Sequence, residues 1–430
     1  MSTAEAAKAE TTKADAKKSD TFGKITDSEI ARAQAQIGIP QPSHIVMHDA
    51  VPSANGISHF AFSYGDDNPL YNDPDYAKTT RWRGQIAPPT YMAITGINET
   101  PPLDPEKKKL FRQLFPGCGE YVSGFTYEWY RPVRPGDQVF YETTTCGVSV
   151  IDTSKFAGKT VHVTRRRLDV DAVGSPISNH ETLLIVAERS GSKTGGKHEG
   201  VEPWVYSDED IAKIDAMYAA EETRGAKPRY WEDVEVGDLM QPLAKGPLTV
   251  TDIIAEHMGR GMGHYGHGPL RYWWKTRQKI PGFYPKNPYG VPDVAQRLHW
   301  ETDWANKVGL PLPYDYADMR MNWMGHLVTA WMGDDAWLWR IFCQMRAFNF
   351  IGDFHVMEGR VAAKRREGRH CVVDLEIKGT CQRGWVTTPG TATVILPSRE
   401  HGAMTLPDAP EEFVKRGAEM MTEATVRARR

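Results

Sequence analysis

A run of turn-forming residues near the start of the chain carries the first side chains whose types and spacing suit chemistry. Residues 63–73 read SYGDDNPLYND and place Asp66, Asn68 and Tyr71 close together. Asp, Asn, Gly and Pro are all favoured in turns, so an exposed loop is one interpretation. So many turn-forming residues in succession, between the apolar residues 60–62 and Leu70, favour a second interpretation, in which a rigid turn holds a carboxylate in place.

Histidines are the second kind of candidate. His299 precedes Trp300, and from the residues alone we interpret it as a structural histidine that donates to a backbone carbonyl. His326 falls on a stripe of apolar residues at helical spacing, which favours a core histidine. Residues 259–269, GRGMGHYGHGP, lack the Lys-Ser/Thr of a phosphate-binding loop. Their histidines have no cysteine or carboxylate spacing that indicates a metal site, so we predict no cofactor and no metal.

Composition excludes several classes of protein. The chain has 430 residues, enough for two domains, and a net charge of -3, which excludes a polybasic surface for nucleic acid or anionic membranes. Its five cysteines are an odd number without metal-ligand spacing and indicate reduced thiols in a cytoplasmic protein. No apolar run approaches the roughly 20 residues of a membrane span. Residues 1–21 are predicted to be a disordered tail.

The elements that must position these side chains follow one another twice. Helical signals before residue 92 precede strand patterns between residues 121 and 187. The order recurs with a helix start at residues 247–252, a helical stripe at 319–332, and strands from 356 to 396. A helix followed by antiparallel strands, repeated once, predicts an α+β fold with an internal repeat.

The motifs resemble one family. Residues 65–71, GDDNPLY, resemble the Gly-Asp-x-Asn-Pro-[aliphatic]-His motif of the MaoC-like, R-specific enoyl-CoA hydratases, and residues 132–137 and 234–238 resemble that family's recurrent Gly-Asp turns. The resemblance covers roughly residues 22–398. It implies a double-hotdog acyl dehydratase, in which each unit wraps a sheet around a central helix. The implied units are 22–190 and 226–398, with a linker at 191–225 and a surface tail at 399–430.

The resemblance also implies roles for residues of the first motif. The family's motif ends in a histidine, and this sequence has Tyr71 there. A phenol titrates near 10, against about 6.5 for imidazole, so Tyr71 is a poor base at neutral pH. We therefore expect Asp66, Asn68 and Tyr71 to be structural or to line the substrate pocket.

The second unit is expected to hold the chemistry. Residues 291–305 resemble the later part of the motif, which implies that His299 positions or protonates the substrate and Asp293 activates water; Asp293 after Pro292 is equally a turn residue. Residues 314–319 take the place of the family's His-Gly at the start of the central helix. The N–H of Ala317 would then bind the thioester oxygen, with Tyr314 and Tyr316 either beside the substrate or packing the helix start.

The resemblance implies a function and leaves alternatives. The predicted activity is that of an enoyl-CoA hydratase, or 3-hydroxyacyl-CoA dehydratase, which adds water reversibly to a 2-enoyl thioester. The aromatic insertion at 259–289 indicates a bulky or branched acyl group. Arg260, Arg271 and Lys275 are candidates for the CoA phosphates, with a solvated charged face as the equal alternative. The alternatives are a non-catalytic acyl-CoA-binding or scaffold subunit and a hotdog thioesterase. The expected partner is an acyl-CoA, with no nucleic acid or membrane, and a homo-oligomer is possible.

Overall fold

The computed structural model describes residues 23–42, 47–154, 158–188, 200–261 and 270–428. The predicted tail at 1–21, part of the predicted linker and the glycine-rich stretch at 262–269 lie outside these ranges. Among the described residues, no helix is long and apolar enough to cross a membrane.

The strands of the described chain form one sheet of eleven strands. Four long strands belong to the first unit: β3 (Gly119–Trp129), β4 (Phe140–Ser154), β5 (Gly158–Val170) and β6 (Pro176–Ala187). Four belong to the second: β8 (Trp337–Gln344), β9 (His355–Glu367), β10 (His370–Cys381) and β11 (Val386–Leu396). The short strands are β1 (Pro40–Gln41), β2 (Ile97–Asn98) and β7 (Leu243–Lys245).

The strand order shows the internal repeat. The order is β1-β4-β5-β6-β3-β8-β11-β10-β9-β7, so the two units have the same internal order and meet where β3 pairs with β8. The long strands pair antiparallel throughout. The predicted α+β architecture with a repeat is therefore confirmed.

Eleven α-helices lie in the described chain. In order they are α1 (Asp27–Gln34), α2 (Ala54–Ser63), α3 (Pro69–Asn72), α4 (Pro74–Thr79), α5 (Pro105–Leu110), α6 (Asp208–Ala219), α7 (Val250–Arg260), α8 (Arg271–Lys279), α9 (Thr302–Lys307), α10 (Ala317–Met332) and α11 (Glu411–Ala428). The predicted helix starts are confirmed at α1, capped by Thr26, and at α7, capped by Thr249. Both caps accept a hydrogen bond from a first-turn backbone N–H.

The two central helices differ. In the second unit α10 is an α-helix of 16 residues, and every residue from Met319 to Met332 is buried. In the first unit the corresponding segment is only a 3₁₀-helix, Pro89–Ile94. Pro88 and Pro89 lead into it with fixed φ and no N–H, and Gly96 follows shortly after with φ 102°. The central-helix positions of the two units are therefore not equivalent.

The segments interpreted as a linker and a surface tail each contain a helix. The predicted linker contains α6, which starts at a capping box formed by Ser207 and Asp210. The predicted surface tail contains α11, whose Phe413 and Met420 pack on Tyr130 of the first unit. The apolar residues of α11 recur at helical spacing within a polar composition, and burial of that stripe fixes the helix.

Candidate functional site

The first motif folds into a turn whose side chains satisfy its own backbone. The carboxylate of Asp66 accepts hydrogen bonds from the N–H of Asn68 (3.1 Å) and the hydroxyl of Tyr64 (3.2 Å). Asn68 caps α3 by accepting from the N–H of Leu70 (2.9 Å) and donates to Asp334 of the second unit (3.1 Å). These contacts agree with the structural role expected of both residues.

A histidine from the second unit lies beside Asp66. Nε2 of His326, on α10, is 3.7 Å from Asp66 Oδ1, and its Nδ1 is 2.9 Å from Nζ of Lys245 on β7. Lys245 also donates to the carbonyl of Tyr64 (3.2 Å), and all of these side chains are buried. When Lys245 is the donor, Nδ1 of His326 accepts and the ring proton sits on Nε2, facing Asp66.

Burial dominates the protonation of this group. It raises the pKa of Asp66 to about 6, although the hydrogen bond from Asn68 and the charge of Lys245 oppose the rise. Burial lowers the pKa of Lys245, and burial followed by the lysine's charge lowers the pKa of His326. His326 of α10 therefore places an imidazole near Asp66, and burial keeps this imidazole neutral.

Tyr71 lines a small cavity. The cavity holds about 30 Å³, and residues from both units line it, including Asn68, Tyr71, Ala87, Pro88, Trp129 and Thr329. This volume suits a water molecule better than an acyl chain. Because Pro88 and Pro89 have no N–H, the start of this 3₁₀-helix lacks their backbone donors for a thioester oxygen.

The start of α10 has the donor that the first unit lacks. Tyr316 is the N-cap residue and provides no side-chain cap, and Ala317 is the first helical residue. The first amides of a helix have no acceptor within it and carry its positive dipole end. Asp315 fixes the approach of the chain to the helix by pairing with Arg320. Nε and Nη2 of Arg320 each donate a hydrogen bond of 2.8 Å to the Asp315 carboxylate.

His299 lies against this helix start. Its Nδ1 is 2.7 Å from the carbonyl oxygen of Tyr314, and its ring lies 3.9 Å from the ring of Tyr316, centroid to centroid. A carbonyl accepts only, so Nδ1 carries the proton and the lone pair is at Nε2. The sequence-based alternative, donation to a backbone carbonyl, is thereby observed, and it orients the ring as a base requires.

A second histidine meets the same tyrosine. Nε2 of His257, on α7, is 3.1 Å from the hydroxyl of Tyr316. Burial lowers the pKa of His257 to about 4, so the ring is neutral at pH 7 and can accept from the phenol. Burial likewise raises the pKa of Tyr316, which therefore remains a protonated donor.

The structure does not join Asp293 to His299. The carboxylate of Asp293 accepts from the N–H of Val294 (2.7 Å) and from Asn287 Nδ2 (3.4 Å). These are the contacts of a turn residue, the alternative that the position after Pro292 indicated. At the start of α10 the carboxylate is that of Asp318, which pairs with Arg260 Nη2 at 3.1 Å.

Arg260 does not face solvent, which corrects its candidacy for CoA phosphates. It is 2% exposed and also pairs with Glu256 at 3.2 Å, so its charge is already balanced inside the protein. His264 and His267 lie outside the described residues. Among the described residues, no group of three or more His, Cys, Asp or Glu is arranged to hold a metal.

Sequence reasoning missed Lys245 and the buried pair of His180 with Asp169. A lysine after Leu243 and Ala244 is unusual in a buried strand, and that was the available signal. Nothing local indicates that Asp169 and His180 meet, because the pairing of β5 with β6 brings them together.

Comparisons with known proteins agree with this architecture. Residues 45–178 match the family model described as the FAS1-like dehydratase domain region. A UPF0336 protein of Thermobifida fusca (strain YX) is 29% identical over 140 residues, which cover 32% of this chain and 84% of that protein. A UPF0336 protein of Streptomyces avermitilis is 30% identical over 90 residues, covering 20% of this chain and 56% of that protein.

A solved structure of a MaoC-like dehydratase has the same fold. It aligns with a TM-score of 0.55 at 15% identity, over 84% of this chain and 99% of the other. The predicted resemblance to MaoC-like dehydratases and the double-hotdog fold are confirmed. The family match supports hydratase or dehydratase chemistry at the level of the family.

Proposed function

We propose that this chain is an enoyl-CoA hydratase, equivalently a 3-hydroxyacyl-CoA dehydratase, with its reaction centre at the start of α10. The observation that carries the proposal is the position of His299. Its Nδ1 is fixed by the Tyr314 carbonyl, and its ring lies on Tyr316, the residue before the Ala317 amide. The proposed base and the proposed oxyanion donor are thus both adjacent to Tyr316, and addition to a conjugated thioester requires one of each.

The proposed reaction uses one imidazole in two steps. Nε2 of His299 takes a proton from water as the water oxygen bonds to the β carbon and the double-bond electrons move to the thioester oxygen. The Ala317 N–H stabilises the resulting enolate. The imidazolium then returns the proton to the α carbon, so that one water is added overall and the histidine is regenerated. The hydroxyl of Tyr316 takes no part in the proton transfer. Its contact with Nε2 of His257 orients the tyrosine ring.

The substrate is proposed to be a bulky or branched acyl-CoA. The segment after α8 is anchored next to His299, because Arg297 donates to the carbonyls of Pro285 (3.1 Å) and Lys286 (3.3 Å). On α8 itself, Tyr272 is largely exposed and Trp274 is about half exposed. Exposed aromatic rings on a segment tied to the site provide apolar area for a large acyl group.

The test replaces His299 by glutamine. Glutamine keeps a donor for the Tyr314 carbonyl and removes the base, so hydration of 2-enoyl-CoA should fall at least ~100-fold, within the range of general base catalysis. Loss of absorbance of the conjugated thioester measures the rate, with His401→Gln, an exposed histidine, as control.

The same assay separates the alternatives. Hydration by His299→Gln at the wild-type rate contradicts the proposal. Binding of acyl-CoA by the wild-type protein without turnover favours the non-catalytic subunit. Release of free CoA, detected with a thiol reagent, favours a thioesterase.

A further inference from the structure

One row of buried side chains across the sheet is polar in the first unit and aliphatic in the second. Strand pairing places this row of buried side chains side by side across seven strands. In order the row is Arg167, His180, Tyr127, Ile341, Ala392, Leu375 and Val361. The three residues of the first unit are polar or ionisable, and the four of the second are aliphatic. A repeat whose only task was packing would have no reason for this asymmetry.

The polar half is held together by a buried carboxylate. Asp169 has no exposed surface and accepts from Arg167 Nε (2.8 Å) and Ser178 Oγ (2.7 Å). Nε2 of His180 lies 3.4 Å from Asp169 Oδ2 but is too poorly aligned for a hydrogen bond. Burial lowers the pKa of His180 despite the nearby carboxylate, so the imidazole is neutral. Neutral, donor-bearing groups of this kind bind oxygen atoms without a net charge.

This polar half adjoins α10, because strand β3, which carries Tyr127, packs against that helix. Tyr127 stands edge-on to His180, with ring centroids 4.7 Å apart. The charges of Asp318 and Arg260, which pair at the first turn of α10, both act on the Tyr127 hydroxyl.

Asn322, on α10, has a buried side-chain amide, and this observation is independent of the sheet. It is 1% exposed, and in the described part of the chain neither its Oδ1 nor its Nδ2 has a hydrogen-bond partner. It follows Asp318 by four residues, so the two side chains share a face of α10. It follows Ala317 by five residues, about 7.5 Å along the helix axis. A buried amide with both groups unsatisfied is costly unless something binds it.

We propose that the acyl group accepted by this chain carries an oxygen substituent, a hydroxyl or a keto group, and that Asn322 binds it. The inference rests on the proposed function, because it places the thioester oxygen at Ala317. The acyl chain then runs along α10, and its oxygen meets the Asn322 amide with Tyr127 and His180 on the facing wall. An all-carbon chain leaves that amide unsatisfied and is the poorer substrate.

The test is a matched substrate series. The probes are 2-decenoyl-CoA and analogues with a hydroxyl or keto group at successive carbons beyond the double bond. We expect one oxygenated analogue to exceed the plain chain in kcat/KM by about 10- to 100-fold, because the plain chain leaves a buried polar group unsatisfied. Asn322→Leu should abolish this preference while keeping turnover of 2-decenoyl-CoA.

Thr329→Val is the control, because it also removes a buried polar group from the same helix. It should leave the preference intact. Equal kcat/KM across the series in the wild type, or a preference that survives Asn322→Leu, overturns the inference while hydration itself stands.

A binding measurement keeps this inference separate from the proposed function. If no analogue is hydrated, the proposed function fails, and calorimetry with the saturated keto-acyl-CoA and plain decanoyl-CoA decides the subsite alone. Tighter binding of the keto compound that disappears in Asn322→Leu supports the subsite. Equal binding of the two compounds overturns it.

Discussion

One buried histidine is expected to weaken the fold of this protein in acid. His355, at the start of β9, has no exposed surface and lies 5.9 Å from Trp323, ring centroid to ring centroid. Burial, helped by the charge of Arg320, lowers its pKa to about 3. The folded pKa lies below the unfolded value of about 6.5. The unfolded chain therefore binds the extra proton, and stability present above pH 6.5 is lost as the pH falls towards 3.

Replacing His355 by leucine should flatten this acid limb. As the pH falls from 7 to 5, the buried imidazole lowers the free energy of unfolding of the wild type by on the order of 2 kcal/mol. His355→Leu should remove that part of the pH dependence, with His401→Leu at an exposed position as control. Urea unfolding at the two pH values measures it. An equal loss in the leucine variant and the wild type contradicts the burial argument.

The roles of single residues could be predicted from the sequence where their contacts are with close neighbours in the chain. The turn chemistry of Asp66 and Asn68 was predictable, because both satisfy backbone groups within a few residues. The partner of Asp66 was not, since His326 is far away in sequence and belongs to the other unit. Asp293 shows the converse: a nearby carboxylate suggested a pair, but its own turn takes its oxygens.

Elements of both units meet at the buried group of Asp66, Lys245 and His326. The turn after α2, strand β7 and helix α10 each provide one member. Removing one charge from such a group leaves the other buried and uncompensated, which costs more than the pair itself contributes. The group therefore determines how well these elements are held together.

Lys245→Met should destabilise the protein by about 3 kcal/mol, and the double variant Asp66→Asn, Lys245→Met should recover much of that loss. Lys378→Met, which breaks the exposed pair with Glu358, is the control and should cost less than about 1 kcal/mol. Urea unfolding measures all of them. A double variant no more stable than Lys245→Met would show that the two charges are not coupled.

For the whole molecule, the sequence predicted the repeat of two units. It predicted only in part how the two units differ. Alternating patterns and two Gly-Asp turns indicated two units, and the sheet confirms them. Strand β8, which joins the units, was not predicted; its first three residues, 337–339, are all buried, so burial does not alternate there. Burial of α11 was likewise set by tertiary packing, which a polar composition does not reveal.

We propose that the second unit performs the chemistry through the N–H of Ala317, a claim that Ala317→Pro tests by removing this donor. Proline is tolerated at the first helical position, and Tyr316 before it is already extended (ψ 141°), so α10 should form while this one donor is lost. Asp208→Pro, at the first position of α6, is the matched control. Steady-state hydration of a 2-enoyl-CoA should fall about 100- to 1000-fold in kcat for Ala317→Pro and change little for Asp208→Pro. A folded Ala317→Pro variant that hydrates at the wild-type rate would contradict the claim.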